Sequence, residues 1–257
     1  MKKLLIPFAL LLYLAGIAQP FQHERLSYLN DDGNPIGEEN AVIIRQVVQL
    51  NDTLWETNLY TRKGPRIMSL RSKDATGKGF NGSYRAYRAD GWADTVGFYR
   101  DGKADGRWLV FAARRVAFQL QYEEGRLLWR KDSVQLKREK DSTDAANPAD
   151  TVTRGDSPAI YPGGQRGWLS FLNHTLRYPD EAINNNIMGM VVTAFAVDTD
   201  GMIVPTSLQV QRSIALSLDR EALRVISQSG AWVPAVHAGR NVKTETAQPI
   251  IFRLLAH

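Results

Sequence analysis

The chain of 257 residues contains no cysteine. An exported protein without thiols forms no disulfides and carries no thiol-linked lipid, so each domain must hold together by its own core. Histidine is scarce as well, four in all. His23, His174, His237 and His257 are scattered, with no His-Glu-x-x-His pair, which argues against a zinc site. "PGGQRG" at 162–167 lacks the Lys-Ser/Thr that holds phosphate and magnesium, and reads as a loop. Asp198-Thr-Asp200-Gly matches the front of a calcium loop but lacks the acidic residue at its end, so it reads as a hairpin turn. No Gly-x-Ser-x-Gly elbow occurs, and the paired carboxylates Glu123-Glu124 sit beside a turn. With no catalytic constellation, neither an enzyme nor a cofactor is expected.

Long apolar runs are also missing, save one. Lys2 and Lys3 precede an apolar run over residues 4–18 that ends on Ala15, Gly16 and Ala18, the layout of a secretory signal peptide. The run is fifteen residues long and contains Pro7. A membrane-spanning helix needs about 20, so a signal peptide over 1–18 is the stronger reading and a retained anchor the weaker. Either way the rest of the chain is exported, and export without cysteine fits the periplasmic side of a bacterial cell envelope. The formal charge of +5 comes from 32 basic and 27 acidic residues spread along the chain. That suits solubility and gives no concentrated basic patch for nucleic acid.

What is present divides in two. Residues 131–158 are dense in charge, Ser, Thr and Asp and nearly empty of large apolar side chains after Leu136. They bury little surface and read as a linker, whose first residues through Leu136 can extend a preceding strand. Before it, residues 24–130 repeat. Gly82/Gly106, Tyr84/Trp108 and Tyr87/Phe111 each fall 24 apart, and "FYRDGK" from Phe98 is echoed by "QYEEGR" from Gln121. Each unit offers an aromatic strand and a Gly-containing turn, so stacked hairpins in an antiparallel all-β sheet with an aromatic core are expected. The Gly-x-aromatic-x-x-aromatic pattern resembles MORN-like repeats, which imply a fold and protein contact rather than a reaction.

Residues 159–257 follow a different grammar. Trp168, Leu169, Phe171, Leu172 and Leu176 lie at helical spacing. Pro179, Asp180 and Glu181 suit the start of a second helix. Gly189 ends it before "MVVTAFAVD", a strand with no strongly polar face and so covered on both sides. A turn leads to "LQVQ", the hairpin partner. In "LSLDREALRVISQSG", Ser217 is the candidate N-cap, Leu218, Ala222, Val225 and Ile226 form a buried stripe, and Gly230 suits a left-handed stop. The last strand, "TAQPIIFRLL", contains Pro249, which cannot donate to a ladder and places the strand at an edge.

"YPGG" at 161–164, "RYPDEA" at 177–182, "GMVVTAFAVDTDGMI" at 189–203, "LDREALRVI" at 218–226, "AWVPA" at 231–235 and "PIIFRL" at 249–254 occur in one order. In that order and spacing the segment resembles the C-terminal domain of the TonB energy transducers. The resemblance implies a small α+β domain, a three-stranded antiparallel sheet with helices on one face. It further implies a docking edge at Thr246, Gln248, Pro249, Ile250, Ile251, Phe252, Arg253 and Leu254, which takes an extended peptide, the TonB box, from an outer-membrane TonB-dependent receptor. Tyr178 and Pro179 would face that receptor. A transducer of this family also keeps a membrane helix that engages inner-membrane motor proteins, and a long periplasmic span. This chain has a marginal leader and a polar stretch with only Pro148 and Pro158. Energy transducer and soluble periplasmic adaptor both stay open, as does a homodimer through unpaired edge strands.

Overall fold

The computed structural model describes residues 23–146 and 156–254. The N-terminal region is an antiparallel meander of nine strands in chain order: β1 Glu24–Leu29, β2 Ile43–Asn51, β3 Leu54–Thr61, β4 Arg66–Ser72, β5 Phe80–Tyr87, β6 Ala93–Arg100, β7 Lys103–Ala112, β8 Arg115–Glu123 and β9 Arg126–Asp132. Two-residue turns Asp101-Gly102 and Glu124-Gly125 close their hairpins with both residues at positive φ, the primed geometry that matches the strand twist. The 24-residue repeat is visible in this sheet. Gly82 and Gly106 both take positive φ, and Tyr84 and Trp108 pack with ring centroids 5.4 Å apart. Tyr99 meets both of those rings, and Tyr122 meets Trp108. The result is an aromatic row across β5 to β8.

The polar stretch after β9 departs from the expectation of a linker. Its first part is a helix, α1, Ser133–Ala146. Asp132 Oδ1 accepts from the N–H groups of Val134 and Gln135, and Gln135 Oε1 accepts from Asp132 N–H, a reciprocal cap that offsets the poor apolar content. Its far end is also tied down. Ser157 exchanges backbone hydrogen bonds of 3.0 and 2.9 Å with Val236, and Asp156 Oδ1 accepts from Ala238 N–H. Residues 147–155 lie outside the described residues, as do the leader over 1–18 and residues 255–257.

The C-terminal region contains α2 Gly164–Thr175, α3 Asp180–Asn184, β10 Gly189–Val197, β11 Gln209–Arg212, α4 Leu216–Ser227, a small hairpin of β12 Ala235–His237 and β13 Arg240–Val242, and β14 Thr244–Phe252. The main sheet has the order β11-β10-β14, antiparallel throughout. Val191, Phe195 and Val197 of β10 share one core with Trp168, Leu218, Ala222, Val225, Ile226, Trp232, Ile250 and Phe252, so the helices line one face. Burial of each of the Val, Leu, Ile and Phe side chains contributes about 1.5–3 kcal/mol. "PGGQRG" is not a loop. Gly163, at φ 77, leads into α2, and a Cβ on Gly167 would fall 2.0 Å from Pro162 O. Ser217 is not the cap of α4 either: the helix starts one residue earlier, Ala215 occupies the cap position, and the Ser217 hydroxyl is buried without a partner. Asp219 does the capping work from inside the first turn, accepting from Ile214 N–H and from Ser213 Oγ.

Candidate functional site

The two outer strands of the C-terminal sheet meet different fates. On the β11 side, the β5–β6 turn of the N-terminal sheet docks by its backbone. Trp92 bridges Arg212, Ser213 N–H donates to Gly91 O at 2.9 Å, and Tyr87 OH donates to Val210 O at 2.6 Å. Gly91 sits at φ 82 with its Cβ direction 1.8 Å from Ser213 O, so only glycine permits this approach. A buried polar cluster reinforces the junction. Tyr60 OH donates to Asp219 Oδ2 at 3.1 Å and accepts from Arg66 Nε at 2.9 Å; Ser213 Oγ donates to the same carboxylate oxygen at 2.7 Å. Arg66 Nη1 lies 3.6 Å from Glu56 Oε1 and its Nε 3.7 Å from Asp219 Oδ2. Burial alone would lower the Arg66 guanidinium, but Tyr60, Tyr87, Asp219 and Glu56 outweigh it and raise it further. Burial pushes Asp219 up to about 6, against the pull of Arg66, Ser213, Ile214 N–H and Tyr60.

On the other side, no described strand pairs with the outer edge of β14. The ladder from β10 runs unbroken from Gly189↔Phe252 to Val197↔Thr244, with Pro249 opposite Val192. An unbroken ladder through a proline requires its nitrogen to face away from β10. Glu245, Ala247 and Ile251 alternate in step with Pro249, so their N–H and C=O groups point to the open edge. Their side chains share the exposed face, while Ile250 and Phe252 are buried in the core.

Beside this edge runs a groove of about 590 Å³ between α2 and β14, lined by Trp168, Leu169, Leu172, Gln248, Pro249 and Ile251 among others. Leu169 and Ile251 are each half exposed, a large apolar presence for an unpaired strand. The edge continues to Tyr178, whose ring meets Phe252 edge-on at 5.7 Å and whose hydroxyl donates to Ile187 O at 2.7 Å. Pro179 follows directly, ahead of α3. Thr246, Gln248, Pro249 and Ile251 thus line the groove, while Tyr178 lines a separate shallow cavity with Ile251, Phe252 and Arg253; Pro179 lines neither. Arg253 and Leu254 differ from expectation: β14 ends at Phe252 because β10 offers no partner before Gly189. The sequence analysis did not place Glu245 or Leu169 at this edge. An alternation counted from Pro249 would have found the first.

The small α+β region thus has one outer strand capped at its end by the N-terminal sheet and the other left open beside an apolar groove. Residues 174–254 match the family described as Gram-negative bacterial TonB protein C-terminal, a match that runs from the end of α2 past β14. Over these residues the chain is similar to a domain of TonB proteins, which suggests a TonB-like envelope protein involved in TonB-dependent transport. No curated protein and no solved structure gave a match. No helix of the described residues is long and apolar enough to cross a membrane.

Proposed function

We propose that this protein binds the extended TonB-box peptide of outer-membrane TonB-dependent receptors by adding it as a strand to β14, in support of energy-coupled transport. The observation that carries the reading is the open edge itself: Glu245, Ala247 and Ile251 offer backbone donors and acceptors in a row, next to a groove that takes alternate side chains of the incoming strand. Tyr178, which shares a shallow cavity with Ile251, Phe252 and Arg253, and the adjoining Pro179 extend the receptor-facing surface. The N-terminal sheet, read as MORN-like, serves as a protein-contact platform on the periplasmic side.

An adaptor without energy transduction is the second reading, and the packing of the two regions favours it. Much of the polar stretch is committed to α1 or tied to β12, so it supplies no long free span. Inner-membrane motor proteins are partners only where the leader is retained.

The test is binding of a synthetic TonB-box peptide to the full chain, read by fluorescence anisotropy. Ile251→Pro and Ala247→Pro each remove an outward N–H and block the edge; binding should weaken by about tenfold or more while the far-ultraviolet circular dichroism stays unchanged. Pro249→Ala restores a donor at the edge and should hold or tighten affinity. Folded proline variants with unchanged affinity would place the peptide elsewhere.

A further inference from the structure

A second cleft lies away from the β14 edge, where the N-terminal sheet meets β11. It encloses about 230 Å³ and is lined by Arg85, Trp92, Val96, Phe111, Arg114 and Gln211, with Ala93. We propose that this cleft binds a carboxylate carried on a small apolar body, the guanidinium groups of Arg85 and Arg114 taking the charge and the Trp92 and Phe111 rings taking the body.

Charge is the first argument. The cleft lining holds two arginines and no carboxylate. Among the described residues, Arg114 makes no side-chain hydrogen bond or ion pair; its guanidinium lies 5.7 Å from the Trp92 ring centroid, and that of Arg212 lies at the same distance. Arg85 donates from Nε to a neutral amide oxygen, Gln209 Oε1, at 3.0 Å. Burial pulls Arg85 below the usual guanidinium range, and Tyr87, Glu56 and Glu245 do not make up the difference. A half-buried cation in that state gains most from an anion that reaches it. Guanidinium groups bind carboxylates through paired N–H donors, and a planar aromatic wall beside them favours a ligand with an apolar portion.

Backbone conformation is the second, independent argument. Four two-residue hairpin turns among the described residues have both residues at positive φ, and three of them, Asp101-Gly102, Glu124-Gly125 and Ala238-Gly239, place glycine second. The fourth, between β7 and β8, is Ala113-Arg114, at φ 47 and 65, with no glycine at all. Glycine or asparagine would relieve the strain there. The turn instead holds an arginine, exposed, with its head over Trp92 at the mouth of the cleft. Strain retained next to a cavity is what a positioned binding group costs.

Size limits the ligand. A cleft that would hold about seven waters takes one residue-sized group, not a folded chain. The C-terminal residue of a peptide and a free aliphatic acid share this chemistry.

The experiment uses the full chain with 15N-labelled tryptophan, the Trp92 indole resonance being assigned by Trp92→Phe. N-acetyl-leucine, N-acetyl-leucinamide and 4-methylpentanoate are titrated in turn to about 20 mM, above the millimolar dissociation constant of a small fragment. The acids should shift the Trp92 resonance saturably and the amide should not. Weaker binding of 4-methylpentanoate than of N-acetyl-leucine assigns the source to a peptide terminus, and equal binding to a free acid. The double substitution A113N/R114G installs the preferred turn residues and removes the guanidinium, so it should unfold at the same or a higher temperature while binding the acid about tenfold more weakly. No shift by any acid, equal shifts by acid and amide, or unchanged affinity in the folded double variant would each overturn the assignment.

Discussion

Burial without full neutralisation gives Asp219 an unusual titration. Its carboxyl has no solvent exposure and accepts three hydrogen bonds, from Tyr60, Ser213 and Ile214, yet burial still raises it from 3.8 to about 6. A carboxyl raised by folding adds stability through its protonated form. That contribution is fully present below the unfolded value of about 3.9 and is lost as pH rises through about 6. Glu56 runs the other way. Burial opposes its charge, but Arg71 and Arg66 outweigh it and lower the group, so its contribution is present at neutral pH and lost in acid. The difference between wild type and Asp219→Asn isolates the first group. Measured by urea unfolding between pH 4 and 7.5, the wild-type advantage should fall by about 3 kcal/mol toward neutral pH, at about 1.4 kcal/mol per pKa unit. A difference that stays flat across that range would contradict the burial argument.

Among the elements, the repeated hairpins depend on a glycine that the 24-residue spacing does not mark. Gly97 of β6 lies beneath the Trp108 ring, and a Cβ there would fall 2.1 Å from it. The ring is 8% exposed and wedged among Tyr84, Tyr99 and Tyr122, so it has little room to retreat. Gly97→Ala should therefore cost about 1–3 kcal/mol in chemical denaturation, an overpacking penalty. A loss under about 0.5 kcal/mol would mean that the aromatic row is loosely packed. The row was legible in sequence because its period is local, and so were β10, the stripe of α4 and the edge position of β14, each announced by a face pattern or by one proline. α1 was not read, since its composition suggests a solvated tether; the signal was the reciprocal cap Asp132-x-x-Gln135. The junction of the two regions was illegible for a different reason. No local pattern marks Tyr60, Arg66 and Asp219 as partners, and only the fold brings Asp219 to Tyr60, 159 positions away. The outer strand with its proline was legible in the sequence, while the groove wall supplied by Leu169 needed the packing of α2 to appear.

At the scale of the molecule, the N-terminal sheet governs which edge of the C-terminal sheet is free. The β5–β6 turn caps the end of β11 through the Trp92–Arg212 bridge and the Ser213 N–H to Gly91 O hydrogen bond, and Leu216 at the start of α4 is buried against Ile44 and Tyr60. Arg220 Nε donates to Glu24 Oε1 at 2.8 Å, which adds a polar contact at the rim of the same junction. A sheet with two bare edges invites pairing with another copy, whereas one closed edge directs any added strand to the other. A fragment of residues 156–257 would regain the second edge and expose Leu216 together with the Asp219 carboxyl. Deprived of the Arg66 and Tyr60 partners, it should unfold at a lower temperature than the full chain and self-associate with rising concentration, as read by size-exclusion chromatography with light scattering. The full chain under the same conditions should associate less, the open β14 edge of its C-terminal sheet being interrupted by the missing N–H of Pro249. A fragment that stays monomeric and as stable as the full chain would mean that the N-terminal sheet neither closes the edge nor supports the fold, and that the docking strand is held by the C-terminal core alone.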